Sequence, residues 1–532
     1  MARKGDSGNL KVQEMLDFAD PEVQDPYVTK TKGGTAADLQ DMQRMGRVQE
    51  LRRNFKFVGI VGFVTILQAT WECTLLSNWS GLFNGGTAGL IWTTIIVWLF
   101  MLCLIASIAE MASMAPNSGG QYHWVSEFAP ASLQKPLSYA AGWASTIGWI
   151  AGVPSCAIQL AGVIQQLIAI GNPDTTFTTA WQVTLLMFAF TFLIVAFNIW
   201  GAHHLPLAEG IILFAHIFGF FAFLIVFWVM ADHAPAEKVF TEFYDGGEWG
   251  SNGLSTLIGL TSAIWCFIGP DAGAHMSEEL KDASIQLPRA MMWSISLNGI
   301  LGITMVISFC FCIKDVDAFV NSDSGYPIVD VIYEITGSYA GTCVLIAFLI
   351  VLLFFSAVST VASSSRQIWS FSRDHGFPYS EWIRQVRPGS EVPVNSLIVC
   401  LVVSLILACI NFGSDVALNA ILSVSNAALL LSYIISIGAL RLKRIYGDPL
   451  PPHRWSLGAW GGLVNDLTLV FLLVAFFFAF WPSYKLIGDA SAAGDFNWAV
   501  VVLAIVGILA FGYYFVGGKQ KYTAPVSFVK AE

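Results

Sequence analysis

Ser262-Ala263-Ile264-Trp265-Cys266-Phe267-Ile268-Gly269-Pro270-Asp271-Ala272-Gly273-Ala274-His275-Met276-Ser277-Glu278-Glu279 is a largely apolar stretch interrupted near its middle by Gly269-Pro270 and a carboxylate. Proline lacks a backbone donor and its ring clashes with the preceding turn, so a helix running through this stretch opens there. Opened backbone inside hydrocarbon is tolerated only against protein or a water-filled cavity. It leaves amides at the start of one half-helix and carbonyls at the end of the other, suited to anionic and cationic groups respectively. A second stretch has the same character. Gly59-Ile60-Val61-Gly62-Phe63 leads into Gln68-Ala69-Thr70-Trp71-Glu72-Cys73-Thr74, which sets a carboxylate where a charge costs about 2.5 to 3.5 kcal/mol on insertion scales. Glu72 must therefore face something polar.

The composition around these stretches is that of a polytopic membrane protein. Of 532 residues, 55% are hydrophobic and only 12% charged, against roughly 25% charged in soluble domains. Several apolar runs reach the roughly 20 residues that cross a bilayer. A net charge of -10 with dispersed basic residues excludes a nucleic-acid partner, which needs a basic stripe. The nine cysteines follow no CxxC or His/Cys ligand spacing, so no metal site, disulfide framework or cofactor is expected.

Twelve spans are predicted, over 57-81, 89-115, 137-170, 181-200, 205-231, 254-279, 291-313, 341-365, 394-412, 415-440, 463-482 and 497-517. They make a transporter domain over 57-517, flanked by a mobile tail at 1-56 and a short one at 518-532. With the N-terminus inside, 24 of the 27 Lys and Arg fall in cytosolic segments and none inside a span. The positive-inside rule thus supports twelve spans with both termini cytosolic. Lys4, Lys11, Lys30 and Lys32 in the first tail are candidate ubiquitin acceptors by position.

The two interrupted spans are the first and the sixth, so each opens a five-span unit. The fold class is therefore an all-α membrane protein with a five-plus-five inverted repeat, broken helices 1 and 6, and two extra C-terminal helices, with substrate held between the breaks.

The chain resembles the amino acid/polyamine/organocation superfamily, and within it the fungal amino acid/choline transporter group that includes choline and 4-aminobutyrate permeases. The resemblance is carried by Glu110-Met111-Ala112-Ser113-Met114-Ala115-Pro116 with Ser118-Gly119-Gly120-Gln121-Tyr122, by Phe267 through Asp271 with Ser277-Glu278-Glu279, by Pro288-Arg289-Ala290, and by Ser372-Arg373-Asp374-His375-Gly376-Phe377-Pro378. It implies solute movement by alternating access without ATP, and no GxxxxGK[ST] phosphate loop occurs in the chain. Two departures bear on mechanism. Where amino-acid carriers of the superfamily commonly have a Gly-rich break in span 1, this chain has Thr70-Trp71-Glu72, which weakens an anion receptor. Some bacterial relatives carry a lysine in span 5, where this chain offers Glu209 and His216.

The candidate substrate-binding residues are Thr70, Trp71, Glu72, Trp265, Phe267, Gly269, Asp271 and Gly273. Trp71, Trp265 and Phe267 would give a cation an aromatic face or merely pack. Glu72 or Asp271 would balance the substrate's cation, carry a proton, or bond to opened backbone. Amides near Gly269 and Gly273 would hold a carboxylate. Glu110, His216, Glu278, Glu279, Arg373 and Asp374 are the coupling or gating candidates. Glu110 would pair with a cytosolic-side Arg or meet solute, and His216 would titrate or stay a neutral core histidine. The others would form an inner gate or stand as interfacial charges. Ser356, Ser359, Thr360 and Ser363 on span 8 are candidate Na⁺ ligands, a weaker reading than H⁺.

The expected function is secondary active import of a small nitrogenous solute, an amino acid, 4-aminobutyrate or a choline-like amine, driven by H⁺ across the plasma membrane or an organellar one. A nutrient sensor of the same fold and a polyamine carrier are the alternatives. No clustered His, Asp and Ser at one depth suggests an enzyme.

Overall fold

The computed structural model describes residues 32–175, 177, 179–322, 324–387, 389, 391–412, 415–485 and 496–529. Lys4, Lys11 and Lys30 lie outside the described residues. Among those described there is no named strand, only an isolated bridge between Phe55 and Leu280. Among the described residues twelve helices are long and apolar enough to cross a membrane: Phe57–Leu76, Gly86–Met114, Gln134–Gly171, Ala180–Trp200, Ala202–Met230, Asn252–His275, Ala283–Cys312, Tyr339–Arg373, Val394–Phe412, Ser423–Tyr446, Gly458–Phe478 and Ala499–Lys521. They are called spans 1 to 12. The protein is an integral membrane protein.

Span 5 shows why such segments sit as they do. Glu209, Ile212, His216, Gly219, Phe220, Phe223 and Phe227 are buried, at the three- and four-residue spacing of one helix face. Leu207, Ile211, Phe214, Phe218, Phe221, Ile225 and Val229 are all more than half exposed and form the stripe that meets lipid. Span ends are set by local chemistry. Ser251 and Ser338 accept hydrogen bonds at the starts of spans 6 and 8, and Pro206 occupies the first turn of span 5, where its lost donor has no partner to forfeit.

Spans 1 and 6 are both interrupted. Span 1 comprises Phe57–Gln68 and Thr70–Leu76, joined by Ala69 at φ 42°. Span 6 runs helically over Asn252–Phe267, opens through Ile268, Gly269 at φ 121° and Pro270, and resumes as Ala272–His275. The break in span 6 falls where proline dictates. In span 1 it lies at Ala69, so Thr70, Trp71 and Glu72 form the first turn of the second half-helix rather than the break itself.

The expectation of a mobile tail over 1-56 fails for its described part. Ala36–Arg44 is a helix closed by a reciprocal Thr35–Asp38 capping box, and Leu51, Arg53 and Phe55 are buried. Polar composition alone suggested mobility, but these polar groups serve other helices. Both Asp38 carboxylate oxygens accept backbone N–H bonds, from Asp282 at 2.9 Å and Ala283 at 3.0 Å, and so satisfy donors at the start of span 7. Tyr522, after the last span, packs on the same face of the bundle, where its hydroxyl lies 2.6 Å from that of Ser138. That face is called the terminal face below. Residues between spans 2 and 3, expected as a loop, include the fully buried helix Gln121–Phe128.

Candidate functional site

The two breaks meet side by side. The Gln68 amide donates to the Phe267 carbonyl at 3.0 Å, and its oxygen accepts from Asn298 of span 7 at 2.9 Å. Thr70 donates to the Cys266 carbonyl at 2.9 Å, Asn298 to that of Thr65 at 3.0 Å, and Ser356 of span 8 to that of Leu67 at 2.8 Å. Carbonyls freed by unwinding are thus largely bonded to side chains, which the buried backbone requires.

Beside the crossing lies a cavity. Its wall takes Leu67, Gln68 and Cys73 from span 1, Trp265, Ile268 and Gly269 from span 6, Gly148, Trp149, Gly152, Cys156 and Gln159 from span 3, Leu353, Ser356 and Thr360 from span 8, and Ser425 and Leu429 from span 10. No ionisable carboxylate or basic group is in that wall. Two indoles, Trp149 and Trp265, are its aromatic faces, and the Trp265 N–H is buried without a partner. Gln159 and Trp265 also border a wider vestibule that includes Ser77, Trp79, Tyr326 and Trp481 and lies on the side away from the termini. Gln159 donates to Ser77 at 2.9 Å, so the partition between cavity and vestibule is one side chain thick there.

Of the substrate-binding candidates, Trp265 and Gly269 reach this wall. Trp71 packs instead on span 5, 5.2 Å from Phe223 and 5.9 Å from His216 between ring centroids. Phe267 is fully buried, and both it and Thr70 lie next to Gly302 of span 7. A Cβ at Gly273 would meet Leu287 at 2.8 Å and Val64 at 3.0 Å, so this glycine permits close packing of spans 6, 7 and 1. Glu72 is bonded through Oε1 to His216 Nδ1 at 2.6 Å, both groups fully buried. Asp271 lies just beyond the cavity, accepting from Gln121 at 2.6 Å and from the Tyr433 hydroxyl at 2.7 Å. Trp149, which the sequence reading passed over, stacks edge-on against His275 at 5.5 Å.

On the terminal side of the bundle lie several buried ion pairs. Arg373 grips Glu278 with two guanidinium nitrogens, and Glu278 also accepts from Asn117 and the Ser118 backbone. Arg366 Nε donates to Glu279 at 2.7 Å. Asp374 accepts from Arg47 at 2.7 Å and from Tyr122 at 2.9 Å, and Arg53 donates to the carbonyls of Ser277 and Leu280. The four gating candidates of spans 6 and 8 are therefore one layer, completed by N-terminal arginines that the sequence did not tie to them. Glu110 is separate: it binds Arg444, the Ser456 hydroxyl and the Leu457 N–H, and so fastens the segment before span 11. Three of the four candidate hydroxyls on span 8 are occupied: besides Ser356, Ser359 donates to Glu209 at 2.6 Å and Thr360 to the Ser356 carbonyl at 2.9 Å, while Ser363 is buried with no partner among the described residues.

Burial pushes the Glu278 carboxyl up, but the Arg373 guanidinium, with Arg47 and the Ser118 amide, outweighs it and holds the group below its ordinary value of 4.5. A carboxyl depressed in the folded state stabilises fully above 4.5 and loses that contribution as pH falls through the depressed value. Wild-type protein in detergent is thus expected to lose thermal stability on acidification below about pH 4.5, and Glu278→Gln to show a flatter acid limb when melting temperature is followed against pH. Equal slopes would remove Glu278 from that role.

The architecture, twelve helices broken at 1 and 6 around a central cavity, is that of a membrane transporter. A crystal structure of a manganese transporter from Eremococcus coleocola aligns with a TM-score of 0.51 over 88% of this chain and 95% of that one, at 13% identity, which establishes likeness of fold. Residues 56–511 match the model of a family described as amino acid permease. The chain belongs to that family. A Macrophomina phaseolina protein named for amino acid/polyamine transport is 30% identical over 427 residues, 78% of this chain and 92% of that protein. The choline transporter of Saccharomyces cerevisiae is 28% identical, covering 93% of this chain and 85% of its own length. The GABA-specific permease of the same yeast is 26% identical, covering 92% and 86%. The protein is a transporter of amino acids or amines.

Proposed function

We propose that the protein is an H⁺-coupled importer of a small amine or amino acid, such as choline or 4-aminobutyrate, in the plasma membrane with both termini cytosolic. The observation that carries the substrate reading is the cavity at the crossing of the two breaks, walled by Trp149 and Trp265 and free of ionised side chains. Such a wall suits an ammonium held by indole faces, worth about 0.5 to 2 kcal/mol per contact depending on desolvation. The Ser425 and Thr360 hydroxyls, which donate to the Gly148 and Ser356 carbonyls, can accept from a substrate hydroxyl or ammonium, and the Trp265 N–H can donate to a substrate hydroxyl or carboxylate. The vestibule on the far side and the buried ion-pair layer on the terminal side support an outward-facing state closed to the cytosol. Inward opening then requires the Arg373–Glu278 and Arg366–Glu279 pairs to separate, as spans 1 and 6 move against spans 3 and 8. The His216–Glu72 pair and its neighbours are the candidate proton carriers.

The test is uptake of labelled choline, 4-aminobutyrate and a mixed amino-acid panel in a transport-deficient fungal strain, at acid and neutral external pH. Uptake of one of these, greater at acid pH, is the expected result. Trp149→Leu and Trp265→Leu are each expected to raise KM by roughly 2- to 30-fold with kcat less affected. No uptake from protein that reaches the surface would favour the sensor reading, and an unchanged KM in both variants would move the site elsewhere.

A further inference from the structure

We propose that Glu209 is a proton-binding site distinct from the Glu72–His216 pair, and that the seating of the first half of span 1 on span 5 determines when its proton is held. The inference rests on the transporter reading and names one residue of its coupling machinery. Glu209 stands about one turn into span 5 from the terminal face and is fully buried. Oε1 accepts from Ser359 at 2.6 Å, while Oε2 is buried with no partner among the described residues.

Among the described residues no cation pairs with it. The half-helix Phe57–Gln68 packed on span 5 has no ionisable side chain. On span 8, Arg366 is bound to Glu279 and Arg373 to Glu278. Arg289 of span 7 and His203 and His204 of the preceding turn are exposed, and none of them pairs with it. The next titratable group along the same face, His216, is two turns away and bound to Glu72. A carboxylate with one hydroxyl donor and no counter-charge is an arrangement that a dry interior disfavours, whereas a neutral carboxyl is tolerated. The Ser359 hydroxyl can donate to Oε1 in either form, so the proton is gained or lost at Oε2: an O–H bond forms there from a water-borne proton, and the same proton returns to water.

Backbone covers the site. A Cβ at Gly62 would lie 2.6 Å from the Glu209 carbonyl oxygen, and one at Gly59 would lie 3.2 Å from that of Pro206, so span 1 meets span 5 with no side chain between them. While they touch, water is kept from Glu209. When the first half of span 1 swings away, water reaches the carboxyl, the ionised form is solvated, and the proton leaves toward the terminal face. One movement thereby opens the inner path and discharges the proton. The Glu72–His216 pair differs, because its carboxylate oxygen and ring nitrogen sit 2.6 Å apart and satisfy one another.

Infrared spectroscopy of the purified protein at pH 7 tests the proton directly. The wild-type minus Glu209→Gln difference spectrum is expected to show a neutral-carboxyl stretch, and its absence overturns the proposal. In proteoliposomes, Glu209→Gln is expected to keep substrate exchange between equal pH compartments and to lose at least tenfold of the accumulation driven by a pH gradient. The probes are choline and 4-aminobutyrate, whichever the wild type accumulates. Accumulation equal to wild type, or loss of exchange along with accumulation, overturns the proposal. Should Glu209→Gln not fold, Ser359→Ala replaces it: removal of the single donor must shift the carboxyl stretch, and an unshifted band overturns the assignment. If wild type accumulates neither probe, the transporter reading fails while the infrared result still decides whether Glu209 holds a proton.

Discussion

Replacing Arg373 by alanine is expected to destabilise the folded protein by about 3 to 5 kcal/mol, the usual consequence of stranding one member of a buried ion pair. Glu278 would keep only Asn117 and the Ser118 amide as donors, and the cation stacked 4.0 Å over the Trp369 ring would be gone. The deficit falls on the state closed at the terminal face, because the pair joins spans 6 and 8 there. Surviving protein should accordingly populate the inward-open state, seen as faster labelling of a cysteine placed near Ser365 from the terminal side. Arg373→Ala/Glu278→Ala should recover part of the loss, since neither charge is then left alone. Melting temperatures in detergent for the two single variants and the double one settle the matter. Purely additive losses would show that the two side chains do not act on one another.

Gly269→Ala is the second change with a large expected effect. At φ 121° an L side chain is strained whatever space surrounds it, at a cost of about 1 to 3 kcal/mol. The added carbon would also lie 2.7 Å from Leu67 Cδ2. Both strains are relieved by shifting the opened strand of span 6, which is the cavity wall, so uptake should fall by at least tenfold while protein still reaches the surface. Normal uptake by this variant would mean that the break in span 6 does not shape the site.

The interruption in span 6 was legible because Gly269-Pro270 forbids helix by covalent structure alone. That in span 1 was legible only approximately. Ala69 has no intrinsic reason to adopt a left-handed conformation, and what holds the chain there is tertiary: Gln68 and Thr70 reaching span 6, Asn298 reaching Thr65, and Ser356 reaching Leu67. Counting from the carboxylate, as the sequence invites, places the break one to three residues late. Trp149 could not be picked from 19 tryptophans without knowing which face of span 3 turns inward, although its place between Gly148 and Gly152 is a usable sign of close approach. Glu278, Glu279, Arg373 and Asp374 were recognisable as end-of-span charges, but the partners of the first three lie more than eighty residues away in sequence, and Asp374 meets Arg47 of the N-terminal segment. The described part of the N-terminal segment misled for a different reason. Its polarity resembles that of disordered tails, yet its Asp38, Arg47 and Arg53 complete the hydrogen-bonding needs of other elements.

Five polar contacts of span 8 and its C-cap lie on one stripe. Ser356 meets the Leu67 carbonyl, Ser359 meets Glu209, Arg366 meets Glu279, Arg373 meets Glu278 and Asp374 meets Arg47. Over these eighteen steps the helix advances about 27 Å, so one helix registers the cavity at one end and the buried ion pairs at the other. Inserting a single residue anywhere between Ser356 and Arg373 would turn everything beyond it by about 100°. Either the upper or the lower set of contacts would then lose its phase. Every residue from Ser356 to Arg373 is buried, and the count of residues between these two points is as fixed as the tooth pitch of a gear.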